Sequence, residues 1–190
     1  MTSTQPVVQP FSDRVAEAVE RKRSQLVVGL DPRLDLLPVE LRGEAAGGGP
    51  AAAAAVERFC CGIVDAVAPY VVAVKPQLAF FEALGADGAV ALETVCDHAR
   101  EIGLLVLADG KRGDIGSTAR AYATAFLEPA ADAPPLADAL TVNPYLGTDS
   151  VEPFFDHGGG VIAVCRTSNS GGDDLQAIEE RIAELAGQLS

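Results

Sequence analysis

Five short apolar runs, each ending on a polar or charged residue and separated from the next by a segment of helical period, restrict this chain to an α/β fold. The runs are 25–30 (QLVVGL), 70–74 (YVVAV), 104–108 (LLVLA), 139–142 (ALTV) and 161–165 (VIAVC). They are rich in β-branched residues and lack polar alternation, so they predict strands buried on both faces, as in parallel sheets. Parallel neighbours need long crossovers, and the intervening segments have the length for helices.

Phe11, Val15 and Val19 predict a helix before the first strand. Val56, Phe59, Cys60, Ile63, Val64 and Val67 share one helical face, as do Leu92, Val95, Cys96 and Ala99 in the next connection. A third helix is expected from Ser117, as N-cap, to Leu127. Leu175, Ile178, Ile182, Leu185 and Leu189 stripe a last one, opened by Asp173 and Asp174 where the helix dipole favours acids. In residues 43–55 (GEAAGGGPAAAAA) the first half reads as a flexible loop and the alanines as the start of a helix. The order of elements predicts right-handed strand–helix–strand units. Both a short open sheet and a (β/α)8 barrel stopping after its fifth unit satisfy the pattern.

The formal net charge of −13 excludes non-specific attraction to nucleic acid or anionic membrane. An anionic small substrate is compatible with it if a local pocket is cationic. No apolar run approaches a membrane span, and the polar start of the chain is not a secretory signal. Residues 1–10 read as a disordered tail and 11–190 as one domain. Of the four cysteines, Cys60, Cys96 and Cys165 lie in apolar patterns and read as buried thiols of a reducing, cytoplasmic protein. His98 and His157 lack ligand-like spacing to Cys, so no metal site is expected.

Chemistry-bearing residues collect where the apolar runs stop: Asp31, Lys75, Asp109 with Lys111, Asn143 and Ser168. In parallel α/β folds that edge carries the active site. Within 107–118 (LADGKRGDIGST), Asp109 and Lys111 are two apart and share a strand face, with Asp114 in the turn beyond. Two carboxylates beside one ammonium favour its charged form, which makes Lys111 a proton donor rather than a Schiff-base nucleophile. Lys75 ends the neighbouring strand and needs a carboxylate, for which Asp109 is the natural partner. The expected array is Lys75–Asp109–Lys111–Asp114. The plainer readings stand beside this one: D-x-K-x-x-D also occurs on solvated loops, and Asn143-Pro144 and Ser168-Asn169 also suit turns. Thr118 also suits a residue neighbouring a helix cap.

The segments 29–33 (GLDPR), 71–88 (VVAVKPQLAFFEALGADG), 105–118 (LVLADGKRGDIGST), 140–147 (LTVNPYLG) and 165–172 (CRTSNSGG) closely resemble the bacterial, longer-chain group of orotidine 5′-phosphate decarboxylases. The resemblance runs from about residue 11 to the end. It implies a TIM (β/α)8 barrel, a homodimer with shared active sites, orotidine 5′-phosphate as substrate, and neither metal nor organic cofactor. Residue by residue, it implies that Asp31 binds ribose, Lys75 contacts ribose within the charge array, and Asp109 sits near the scissile carboxylate. It implies that Lys111 protonates C6, that Asp114 and Thr118 reach across the dimer, and that Ser168 contacts the pyrimidine. Asn143 is taken as a further substrate-binding candidate.

The family's phosphate-holding arginine and glutamine follow later strands, and no sequence for a sixth to eighth strand is present before Ser190. The expectation is therefore a partial barrel of about five strands, open along two strand edges. Two competing functions share the motif. One is a Mg²⁺-dependent sugar-phosphate decarboxylase or hexulose-phosphate synthase, which resembles a pattern with Glu in place of Lys75; a cation there repels a metal. The other is an inactive fragment that only binds phosphorylated ligands.

Overall fold

The computed structural model describes residues 9–130 and 133–176. Five parallel strands form one sheet in the order β1-β2-β3-β4-β5: β1 Val27–Leu30, β2 Ala73–Pro76, β3 Leu105–Arg112, β4 Ala139–Val142 and β5 Gly160–Ala163. That order decides between the two architectures left open by the sequence. A doubly wound sheet reverses direction at a switch point, whereas a barrel adds each strand beside the last. The fold is an incomplete TIM barrel, an arc of five strands.

Helices α1 Phe11–Lys22, α2 Val39–Ala45, α3 Gly49–Val67, α4 Leu78–Glu82, α5 Gly85–Glu101 and α6 Gly116–Leu127 lie between and before the strands, with a short α7 at Asp173–Gln176 and 3-10 turns at Leu34–Leu36, Pro144–Leu146, Thr148–Ser150 and Glu152–Phe155. The alanine run does lie in α3, as helix propensity dictates. Gly43, expected in a loop, lies inside α2 instead. The N-cap of α6 is Ile115 in extended conformation, not Ser117, and its own side chain makes no capping hydrogen bond. The last helix beyond Gln176 and the tail 1–8 lie outside the described residues. Gln9 and Pro10 are ordered against α1: Gln9 Nε2 donates to Glu17 at 2.6 Å, and the Pro10 carbonyl accepts from Asp13 and Arg14.

Alternate strand residues face opposite ways and build two cores. Outward, Val28, Leu30, Val74, Val106, Ala108, Leu140 and Val142 meet Val56, Cys60 and Val64 of α3, Val95 and Ala99 of α5, and Ala123 and Leu127 of α6. Inward, Ala73, Leu107 and Ala139 meet Ala18 of α1, with Phe11 and Val19 alongside, so α1 plugs the N-terminal end of the barrel. Phe11 lies so close to β5 that a Cβ on Gly160 would fall 2.2 Å from its ring. Only glycine admits that approach.

Burial on both faces holds for β4, whose four residues are all buried. It fails at the edges, where Val27 of β1 and Ile162 of β5 are exposed. Their inward positions face the open side of the arc. Strand limits also move. β2 begins at Ala73 rather than Tyr70, because parallel pairing with Val27 sets its register, and Tyr70 stays in an exposed turn. β3 runs on through Lys111 to Arg112.

Candidate active site

The C-terminal ends of β2, β3 and β4 bring the charged residues together around Asp109. Asp109 is only 6% exposed, a burial no carboxylate tolerates unpaired. Among the described residues, four side chains donate to it. Lys75 Nζ lies 2.6 Å and Gln77 Nε2 3.2 Å from Oδ2; Lys111 Nζ lies 2.6 Å and Thr141 Oγ1 3.0 Å from Oδ1. Burial alone would raise this carboxyl's pKa. The hydrogen bonds from Lys111, Lys75 and Thr141, with the charge of Lys75, outweigh it and pull the group from 3.8 to about 2. The result is a fixed anion between two ammonium groups.

Lys111 reaches this position by an irregular backbone. The β3–β4 register shifts between Ala108 and Arg112, and Lys111 adopts φ 46°, left-handed for a residue with a Cβ. Such a conformation costs roughly 1–2 kcal/mol. Sharing a strand face with Asp109 would by itself have aimed Lys111 inward, but it is the bulge that sets its final direction. On the opposite face Arg112 anchors the strand end. Its guanidinium pairs with Glu82, bonds the Gly110 carbonyl, and lies 5.6 Å from the ring centroids of both Tyr122 and Phe126.

Lys111, Asn143, Pro144, Tyr145, Val164, Cys165 and Gln176 line a cavity of about 520 Å³ at this mouth. That volume suits a small organic ligand. Asn143 thus borders the site, while its side chain serves a turn: Oδ1 accepts from Tyr145 N at 3.1 Å. Asp31 follows β1, exposed, its carboxylate folded back to within 2.8 Å of where a Gly29 Cβ would sit. Gly29 pairs in register with Lys75, which places Asp31 on the same mouth.

The four-membered array is three-membered within the chain. Asp114 makes no ion pair among the described residues; its Oδ1 accepts from Ile115 N at 2.7 Å. β3 has ended by then, and the chain turns into α6, on whose first turn Thr118 is exposed. Ser168 is exposed in the loop after β5 and does not line the cavity with Lys111. Cys165, expected buried, is exposed at the mouth, because β5 stops at Ala163. Cys60 and Cys96 are buried as expected.

Sequence reasoning missed Gln77, Thr141 and Arg112. A hydroxyl inside the otherwise apolar 139–142 run was the available signal for Thr141. Gln77 sits two residues beyond Lys75, hence on its face, and the strand's true end at Pro76 hid that relation. Asp138 was missed too, at the other end of β4. Its Oδ2 accepts from Val106 N at 2.8 Å, and its Oδ1 pairs with Arg14 of α1, so it fastens the barrel plug.

The family model described as Orotidine 5′-phosphate decarboxylase / HUMPS family matches residues 24–189, nearly the whole chain and every strand of the sheet. This chain belongs to the orotidine 5′-phosphate decarboxylase / HUMPS family. Within it, an orotidine 5′-phosphate decarboxylase of Rhodopirellula baltica is 46% identical over 95% of this chain and 64% of that protein. One from Deinococcus radiodurans is 44% identical over 94% of this chain and 62% of its own length. The chain thus spans a little under two thirds of these curated relatives. Among solved structures, a putative orotidine 5′-phosphate decarboxylase of Streptomyces avermitilis superposes with a TM-score of 0.76 at 35% identity. It covers 99% of this chain and 67% of that one. A TIM barrel in this family and a five-stranded arc in this chain are the same architecture, seen over its first five units.

Proposed function

We propose that this chain carries the catalytic charge array of an orotidine 5′-phosphate decarboxylase that forms uridine 5′-phosphate in pyrimidine biosynthesis. The observation that supports it best is the buried, ionised Asp109 held between the ammonium groups of Lys75 and Lys111. In this reading the C6–carboxylate bond of the substrate breaks, carbon dioxide leaves, and the electron pair stays on C6. Lys111 gives a proton from Nζ to that carbon and regains one from solvent. Its side chain is half exposed at the mouth and its ammonium preorganised, so it stabilises the developing carbanion at short range. Asp109 next to the departing carboxylate raises the ground state relative to the transition state. Lys75 and Asp31 hold ribose, Asn143 lines the substrate cavity beside Lys111, Ser168 contacts the base from the loop after β5, and binding energy from the distant phosphate holds the ring in place.

The active protein is proposed to be a cytoplasmic homodimer, with Asp114 and Thr118 completing the partner's site. Two features support this. Asp114 has no ion-pair partner among the described residues, and Ile115, Tyr145 and Leu146 beside it are exposed. The loops that carry them touch, since the Arg112 carbonyl accepts from Asn143 N at 2.7 Å. Clustered apolar exposure of this kind favours a protein contact. No helix among the described residues is long and apolar enough to cross a membrane.

The Mg²⁺-dependent alternative is disfavoured by Lys75, whose ammonium occupies the side of Asp109 where a divalent ion would need an acid. Incubating the purified protein with orotidine 5′-phosphate and following loss of its ultraviolet absorbance tests the proposal, with and without EDTA. Turnover unaffected by EDTA is the expected result. Activity abolished by EDTA would favour the metal-dependent reading, and no turnover with retained binding of a uridine-phosphate analogue would favour a binding-only fragment.

A further inference from the structure

We infer that Thr141 is a positioning residue for this reaction: its single hydroxyl clamps both ends of Lys111 and so sets where that ammonium points. The inference rests on the decarboxylase reading for its consequence, though its geometry stands apart from it. Thr141 is the one polar residue of β4, lying between Leu140 and Val142 of the outer core, and it is buried on the inward face. Its Oγ1 lies 2.9 Å from the Lys111 amide nitrogen and 3.0 Å from Asp109 Oδ1. The amide N–H only donates and the ionised carboxylate only accepts, so both contacts fix the hydroxyl in one orientation. Lys111 Nζ reaches that same Asp109 oxygen at 2.6 Å. Main chain and side-chain tip of Lys111 are thereby tied to one point.

The tie is needed because the regular ladder fails there. Where the β3–β4 register shifts, the strand partner no longer supplies a carbonyl to Lys111, and Thr141 supplies an oxygen in its place. A left-handed φ at a residue with a Cβ persists only where neighbours over-determine it. Arg112 holds the strand end from outside but makes no bond to the Lys111 amide. Without the Thr141 oxygen, the Lys111 peptide is free to relax toward extended backbone, which swings Nζ away from the mouth.

The test compares wild type, Thr141→Val and Thr141→Ser. The valine keeps the shape and deletes both bonds; the serine keeps the hydroxyl. Losing hydrogen bonds to charged and buried groups predicts a fall in kcat of about 10- to 100-fold in Thr141→Val with KM within about threefold. Thr141→Ser restores most of the loss. Independently of turnover, exchange of the Lys111 amide hydrogen should accelerate by about tenfold or more in Thr141→Val and not in Thr141→Ser, with Val74 of β2 unchanged. Unchanged kcat in Thr141→Val, or equal damage in both variants, overturns the inference. If wild type fails to turn over orotidine 5′-phosphate, the decarboxylase reading falls, and the exchange pair still decides the clamp: unaltered Lys111 protection in Thr141→Val refutes it. Should Thr141→Val not fold, Thr141→Ala serves in its place under the same outcomes.

Discussion

Replacing Asp109 with asparagine should weaken the fold at neutral pH and hardly affect it in strong acid. Asparagine is a permanently neutral isostere of the protonated carboxyl, so the variant isolates what ionisation of Asp109 contributes. Folded, the group ionises at about 2 instead of 3.8. A carboxylate with a lowered pKa adds stability above its unfolded pKa and loses it as pH falls through the folded one. The difference amounts to about 2 kcal/mol at pH 7, to roughly half that at pH 3, and to little at pH 2. Asp109 is nearly buried, so solvent screens this little, whereas its partners Lys75 and Lys111 are 33% and 51% exposed and gain some relief from water in the variant. Urea unfolding of both proteins at pH 7 and pH 3, followed by far-ultraviolet circular dichroism, measures the gap. A variant as stable as wild type at pH 7, or a gap that does not narrow in acid, would refute the view that a paired, ionised Asp109 is a net stabilising part of the site.

Lys111→Ala should lower decarboxylation by a thousandfold or more while keeping the circular dichroism of the folded protein, because the side chain is half exposed; near-normal turnover would contradict its role as proton donor. Mixing Lys111→Ala with Asp114→Ala under subunit exchange should regain part of the activity through hybrid dimers, and no recovery in a mixture shown to exchange would count against shared sites. Asp138→Ala should destabilise by about 2–3 kcal/mol in thermal or urea unfolding, since it leaves Val106 N and Arg14 without their buried acceptor. Native protein at pH 8 should take up a thiol reagent at exposed Cys165 first and half-buried Cys61 next. Cys60 and Cys96, both pushed up to about 12 by burial, should react only after unfolding, as peptide mapping by mass spectrometry would show.

The strand count, the helical faces packed on them and the gathering of Asp31, Lys75, Asp109, Lys111 and Asn143 at one edge were all legible in the amino-acid sequence. They follow from local periodicity, which a chain carries residue by residue. The ionic partnership of Lys75 with Asp109 was also legible, because a cation ending a buried strand must find an anion on the next one. Strand order was not, since any set of alternating units permits both a wound sheet and a barrel until the strands choose neighbours. Nor were the roles of Thr141 and Gln77, which depend on β3–β4 and β2–β3 register over separations of about thirty residues. Asp114 marks the boundary most clearly. Three residues from Lys111 in sequence, it was expected in the charge array, reaching across the dimer on the family resemblance; within this chain its Oδ1 accepts from Ile115 N and it makes no ion pair among the described residues. Spacing along a chain limits which groups can meet; only the three-dimensional path of the backbone decides which of them do.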